Sequence, residues 1–146
     1  GNVTVDACTG GCRGIIDTGA SHLGVQENNF ENMKGALARA AAPQVGGGCQ
    51  GPDLNFDLGS LTLTLRVADY AAGTACEPQL GPLDLDPQEF TGVYAFGESL
   101  LRRYYAAFDW QERRIGFAPV ADRRVRFGNR AAPAAPETPT EQVFNV

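Results

Sequence analysis

The stretch GIIDTGAS, residues 14–21, decides the fold. Two β-branched isoleucines predict a strand, and a carboxylate directly after them is costly unless the strand ends there. Gly19 lets backbone amides approach the carboxylate of Asp17, which favours its charged form. On these residues alone, an Asx-type turn at a strand end explains the pattern as well as a functional acid does.

Composition narrows the class of protein. The chain has 146 residues and a formal net charge of −5, which fits one domain and argues against a nucleic-acid or anionic-membrane partner. It contains no apolar run long enough to predict a membrane span. Residues 121–146 are rich in arginine, alanine and proline, and we expect them to form a tail without its own core.

The cysteine spacing indicates disulfides. Cys8 and Cys12 are separated by Thr-Gly-Gly, which suits a small disulfide loop at a turn. A zinc site would need C-x-x-C pairs or several histidines, and His22 is the only histidine, so we predict no metal. Disulfides indicate an oxidising compartment, which we expect to be the exterior or an endomembrane or vacuolar lumen. Asn2 begins an Asn-Val-Thr glycosylation sequon, which supports this location weakly.

Short apolar runs and 18 glycines predict a mainly β fold with one or two short helices. Phe30, Met33 and Leu37 have helical spacing, with asparagines at 28 and 29 available as the cap. Residues 73–89 contain three prolines and are expected to be a loop. The other predicted elements are strands at 3–7, 13–17 and 93–96, a helix at 98–103, and hairpins at 54–67 and 104–118.

Taken in order, these motifs resemble the C-terminal lobe of the pepsin-like aspartic peptidases. The resemblance covers nearly all of residues 1–120. Its elements are the C-x-x-x-C loop before the Asp-Thr-Gly turn, a helix, a second cysteine pair at Cys49 and Cys76, the loop Ala95-Phe96-Gly97, and the ending YYAAFDWQERRIGFAPV at 104–120. The resemblance implies one lobe of the bilobal acid protease fold and a disulfide between Cys49 and Cys76.

The resemblance also implies a catalytic site. Asp17 would be one of two aspartates that hold a water for attack on a peptide bond, without a metal or organic cofactor. Its two preceding isoleucines would anchor the strand in the core. Thr18 and Gly19 would support the turn, and Ala20 and Ser21 would contact the peptide or protein substrate. His22 is expected at the surface rather than in the cleft.

The chain holds a single Asp-Thr-Gly, resembles no flap with a tyrosine, and begins just before the first cysteine loop. We therefore expect an N-terminal peptidase lobe on a separate chain, as in a processed two-chain enzyme. A homodimer of the retroviral type is disfavoured by the two cysteine pairs and the closing signature. The alternative in another class is a catalytically inactive lobe that acts as a binding or structural subunit, because fold does not settle function.

Ala20 departs from the commoner family pattern, in which serine or threonine donates a hydrogen bond to the aspartate. Loss of a donor to the charged carboxylate disfavours that form. The sequence therefore predicts an activity optimum less acidic than that of pepsin.

Overall fold

A computed structural model describes residues 11–86, 90 and 92–120, together with the backbone of 142–145. The helices are α1 (Glu27–Ala40), α2 (Val67–Tyr70) and α3 (Glu98–Leu101). The strands are β1 (Arg13–Ile16), β2 (Leu23–Gln26), β3 (Ala42–Pro43), β4 (Cys49–Gln50), β5 (Leu54–Asp57), β6 (Thr62–Leu65), β7 (Ala71–Ala72), β8 (Glu77–Pro78), β9 (Leu80–Leu83), β10 (Val93–Phe96), β11 (Tyr104–Asp109), β12 (Arg114–Pro119) and β13 (Gln142–Asn145). The mainly β fold class is confirmed, and α2 is a short helix that the sequence did not predict.

The sheet that carries the candidate site has the strand order β1-β10-β2-β9. β10 pairs in parallel with β1 and antiparallel with β2, and β2 pairs in parallel with β9. A late strand therefore lies between two early ones. Because β1 and β10 are parallel and Ile16 is paired with Phe96, both strands finish at the same end of the sheet.

The core joins this sheet to α1 and to the hairpin formed by β5 and β6. Met33 and Leu37 lie one turn apart on α1, and both are buried, as their helical spacing predicted. The ring of Phe56 meets the edges or faces of Tyr94 and Phe96 in T-shaped contacts, with centroids 5.5 and 5.0 Å apart. The hairpin thus packs directly against β10, the strand that ends beside Asp17.

The predicted asparagine cap of α1 is wrong. The helix begins at Glu27, its N-cap residue is Gln26, and no side chain caps it. Gln26 is buried and serves another segment: its side-chain oxygen accepts a hydrogen bond from the Gly92 amide at 2.9 Å, and its side-chain nitrogen donates to the Phe90 carbonyl. The amide group thus fixes the start of β10 instead of the start of the helix.

The loop predicted at 73–89 is wrong in part, because β8 and β9 lie within it. Pro82 belongs to β9, which is at the edge of its sheet, where a residue without an N–H is tolerated. The strand expected through Val67 ends earlier, since Val67 begins α2. The Arg66 amide donates to the carboxylate of Asp69 at 2.7 Å and so starts that helical turn.

The two isoleucines of β1 do not share one environment. Ile16 packs against the core, as expected, but Ile15 is 46% exposed, so its predicted role as a core anchor is wrong. Successive strand residues point to opposite faces, and β1 is an edge strand among those described, so only one isoleucine faces the core.

The C-terminal hairpin gains a third strand from the tail. β11 and β12 pair antiparallel, as predicted, and β13 pairs antiparallel with the other edge of β12. The strand predicted at 3–7 lies outside the described residues. Among the helices described, none has the length and apolar character needed to cross a membrane.

The turn between β11 and β12 is organised by Asp109. Its carboxylate accepts hydrogen bonds from the amides of Gln111 and Glu112, both at 3.1 Å, and from Nε of Arg114 at 2.9 Å. The hydrogen bond from the Glu112 amide, and after it that from Arg114, lowers the pKa of Asp109 below its ordinary value.

We expect Asp109→Asn to remove a stabilising contribution that depends on pH. Because folding lowers this pKa, the contribution is complete above the unfolded value of about 3.9 and is lost as pH falls through the folded value. Urea unfolding of the wild type and variant should therefore differ most near neutral pH and converge in acid. Glu112→Gln, which removes a carboxylate from the same turn but keeps the contacting amide, is the control; equal pH dependence in both variants would contradict the assignment.

Candidate active site

Asp17 lies on the turn that follows β1. Its amide donates to the Phe96 carbonyl at 3.1 Å, so the ladder between β1 and β10 continues to the acid itself. Its side-chain oxygen accepts the Gly19 amide at 2.8 Å, and its carbonyl accepts the Ala20 amide at 3.3 Å. The side chain is exposed. The carboxylate of Asp17 is therefore held by backbone contacts while it stays accessible.

A second segment, residues 96–98, packs against this turn and forms a hydrogen bond with it. The Glu98 amide donates to the Ala20 carbonyl at 2.7 Å. A Cβ atom at Gly97 would lie 2.2 Å from the Ala20 carbonyl oxygen and 2.6 Å from that of His22, closer than real contacts allow. Only glycine at position 97 permits the two backbones to approach this closely.

Two further glycines allow close packing within the sheet that carries the turn. A Cβ atom at Gly14 would lie 2.5 Å from a ring carbon of Phe96, so this ring lies directly over β1. A Cβ atom at Gly24 would lie 2.7 Å from Cβ of Ala95 and 2.8 Å from Leu83. Neither glycine was expected to have this role, although an isolated glycine inside a strand is the signal for such an approach.

The structure places the predicted site residues on one turn. Thr18, Gly19, Ser21 and His22 are exposed, and Ala20 is half-buried. The side chain of Glu98, on the bracing segment, is engaged by Arg102, whose Nη2 lies 2.5 Å and Nε 2.9 Å from the same carboxylate oxygen. This exposed pair contributes little stability, but it restrains a second carboxylate next to the turn.

The cysteines occupy another part of the lobe. The Cys49–Cys76 disulfide is present, as the resemblance implied, and joins the β3–β4 hairpin to the segment between β7 and β8. Cys12 is also disulfide-bonded; its predicted partner, Cys8, and the sequon at Asn2 lie outside the described residues. No three His, Cys, Asp or Glu side chains in the described part of the chain gather as a metal site would require.

We expect Gly97→Ala to displace the Asp17 turn, because its methyl group would collide with the Ala20 and His22 carbonyls. Overpacking of this kind typically costs about 1–3 kcal/mol in the free energy of unfolding. Gly81→Ala is the matched control, since Gly81 lies on β9 in the same sheet and has open space where its Cβ would be. Equal denaturation midpoints for the two variants would show that the close contact is unimportant.

Comparisons with known proteins identify the lobe. A model of the eukaryotic aspartyl protease family matches residues 1–120. Renin from Ovis aries is 31% identical over 123 residues, which covers 76% of this chain and 30% of that protein. Pepsin A from Suncus murinus is 29% identical over 122 residues, covering 79% of this chain and 32% of that protein. Pepsin A-5 from Mus musculus is 31% identical over 132 residues, with corresponding shares of 82% and 33%.

The chain thus spans about a third of the length of the curated relatives it matches. The family match covers the Asp17 turn, the segment that braces it and the closing β11–β12 hairpin. The chain belongs to the eukaryotic aspartyl protease family and forms one pepsin-like lobe.

Proposed function

We propose that this lobe supplies Asp17 as one of the two catalytic carboxylates of an aspartic endopeptidase, and that a second, N-terminal-type lobe supplies the other. The observation that carries the proposal is the Asp17 turn itself. Its carboxylate is exposed, yet its backbone is fixed by hydrogen bonds to Phe96 and Glu98. Such an acid is positioned to meet a group from outside the lobe without moving its own backbone.

The chemistry follows from two carboxylates placed close together. Like charges at short distance do not ionise together easily, so the pair shares one proton. The charged member takes a proton from a water held between them as this water attacks the peptide carbonyl. The protonated member stabilises the developing tetrahedral oxygen and supplies a proton during collapse to amine and acid. No covalent intermediate, metal or organic cofactor is needed.

The neighbouring residues take supporting roles in this proposal. Thr18, exposed beside Asp17, meets the corresponding turn of the second lobe and braces the two acids against each other. A side chain at Gly19 would place its Cβ 3.3 Å from the Asp17 oxygen, so glycine keeps the carboxylate open to water and substrate. Ala20 and Ser21 line the approach of an extended peptide or protein substrate.

The second lobe is the partner that the proposal requires. We infer that it lies on a separate polypeptide of a processed enzyme, and that the enzyme acts outside the cell or in an endomembrane or vacuolar lumen, where the Cys49–Cys76 disulfide is stable. Denaturing electrophoresis of the purified native protein under reducing conditions tests the arrangement. Two bands whose sequences match two lobes support separate chains, and one band holding both lobes overturns that part of the proposal.

We expect Asp17→Asn to abolish peptidase activity of the assembled protein, with a loss of at least about 10³-fold in kcat, because an amide neither shares the proton nor accepts one from water. The measurement is hydrolysis of a fluorogenic peptide, with pepstatin as inhibitor of the wild type. Asp57→Asn is a close control: Asp57 is the last residue of strand β5, is exposed, and accepts a hydrogen bond from the amide of the glycine two residues later, at 2.9 Å.

Two outcomes would contradict the catalytic assignment. One is that the Asp17→Asn variant retains as much peptidase activity as the Asp57→Asn variant. The other is a wild-type assembly that hydrolyses no peptide and binds no pepstatin although its second lobe is present. The second result would favour the inactive binding or structural lobe.

We expect Ala20→Thr to move the acid limb of the activity profile to lower pH by about one unit, because a hydroxyl near the carboxylate favours the charged form. The measurement is kcat/KM against pH for the assembled wild type and variant. Ala20→Val is the control, since valine has the shape of threonine without the hydroxyl. Equal shifts in both variants would attribute the effect to size, and a wild-type optimum below about pH 3 would contradict the role given to Ala20.

A further inference from the structure

Gln26 is a buried polar residue at the end of β2, and the proposed catalytic chemistry does not use it. Only 3% of its surface is exposed. The ladder between β2 and β10 pairs Val25 with Tyr94, and the chain turns into α1 directly after Gln26. The side chain continues the contact: Oε1 accepts the Gly92 amide at 2.9 Å, and Nε2 donates to the Phe90 carbonyl. Both polar ends of the amide therefore bind the segment that enters β10.

Gly92, at the entry to β10, is held from both sides. Its carbonyl accepts a hydrogen bond from the Arg13 amide of β1 at 2.9 Å, and its amide donates to Gln26 on the side of β2. Its φ is +65°, a backbone conformation that residues with a side chain rarely adopt. The entry to β10 is thus fixed between two neighbouring strands, and the Gln26 amide supplies one of these attachments.

The other end of the same strand contacts the Asp17 turn. β10 has four residues, a length of about 13 Å. Where it ends, the Phe96 carbonyl accepts the Asp17 amide. The Glu98 amide then donates to the Ala20 carbonyl, and the contact at Gly97 leaves no space for a Cβ atom. Because these backbones already touch, a shift of β10 along its axis displaces the turn.

We propose that Gln26 is a positioning residue for Asp17. Its side-chain amide fixes the entry of β10, and the short strand transmits this constraint to the turn that bears the carboxylate. Misplacement of a catalytic group by about 1 Å can cost about 10²-fold in rate. The catalytic part of this inference rests on the proposed function, whereas the structural link between Gln26 and the turn does not.

Two substitutions separate hydrogen bonding from shape. Gln26→Met keeps a side chain of similar length but forms neither hydrogen bond at any pH. In Gln26→Glu, the protonated carboxyl has one O–H donor and one carbonyl acceptor, as the amide has, whereas the charged form has no donor for the Phe90 carbonyl. Burial raises the pKa of the introduced carboxyl above its usual value of about 4.3. Rescue in acid is therefore expected of the glutamate variant alone.

Gln79→Glu is the matched control. The Gln79 side-chain nitrogen also donates to a backbone carbonyl, that of Glu77 at 3.2 Å, but this partner lies only two residues away. The variant makes the same chemical change without touching the entry of β10. The ionisable residues beside the Gln26 contacts are the same in every variant, so each variant is compared with the wild type at the same pH: Glu27, Arg13 and Asp86.

The probes are hydrogen exchange of the Asp17 and Glu98 amides in the purified native protein, and kcat for a fluorogenic peptide. We expect the methionine variant to exchange both amides at least about tenfold faster than the wild type, and to lose at least about tenfold in kcat, at every pH. The glutamate variant should stay within about twofold of the wild type near pH 4 and approach the methionine variant as pH rises through the raised pKa. Gln79→Glu, and the amides of the β11–β12 hairpin in all variants, should be unchanged.

Unchanged exchange of both amides in the methionine variant would overturn the proposal, as would a glutamate variant that matches Gln79→Glu at every pH. Equal acceleration across the β11–β12 hairpin would also overturn it, because the effect would then be general destabilisation. Where the methionine variant does not fold, the glutamate variant, purified in acid and moved to neutral pH, decides by the same readouts. A wild-type assembly that hydrolyses no peptide defeats the catalytic proposal, and exchange then decides alone whether Gln26 positions the turn.

Discussion

The close backbone contact between Gly97 and the turn at residues 20–22 is the constraint on which the rest of the site depends. Because β1 and β10 pair in parallel, their C-terminal ends lie side by side at the same end of the sheet. Gly97 then allows the segment after β10 to contact the turn after β1. The ring of Phe96 is buried over Gly14 of β1 and against Phe56, so it packs β10 closely against both β1 and the core. The core thus positions Asp17 through two strands at once, although the side chain itself makes no core contact.

A comparison within the chain shows what distinguishes this acid. Asp57 and Asp17 have similar local structures: each is exposed, lies at the end of a strand, and accepts a hydrogen bond from the amide of a glycine two residues later. Asp57 lies beside the turn of its own hairpin, where the Leu58 amide donates a hydrogen bond to the Leu61 carbonyl. Asp17 is bonded instead to a strand from a distant part of the sequence. The local sequence motif produces an ordinary Asx turn. The hydrogen bonds to the distant residues Phe96 and Glu98 are what fix the backbone position of the Asp17 turn.

This difference explains how much the sequence could predict. The β10 strand, the closing hairpin and the faces of α1 follow from local periodicity, and each is confirmed. The contacts of Gly14, Gly24 and Gln26 are with segments far away in sequence. An isolated glycine in a strand indicates a close approach, but no local pattern indicates which segment approaches. Ile15 and Ile16 are chemically identical, and only the position of β1 at the sheet edge separates their environments. The family resemblance supplied the order of the motifs, but not these contacts.

The exposure of β1 bears on assembly, and the exposure of Asp17 bears on catalysis. Among the described strands, β1 lies at the edge of its sheet and leaves Ile15 open to water, a combination that proteins ordinarily cover. Any second lobe that packs on this edge buries Ile15, whether or not it carries an aspartate. The hydrogen-bonded turn is a separate feature, because burial of an exposed carboxylate without a partner group is unfavourable. Under our proposal, a partner lobe that carries an aspartate covers the edge and also matches the acid, whereas an inactive partner lobe covers the edge and leaves Asp17 without a second carboxylate.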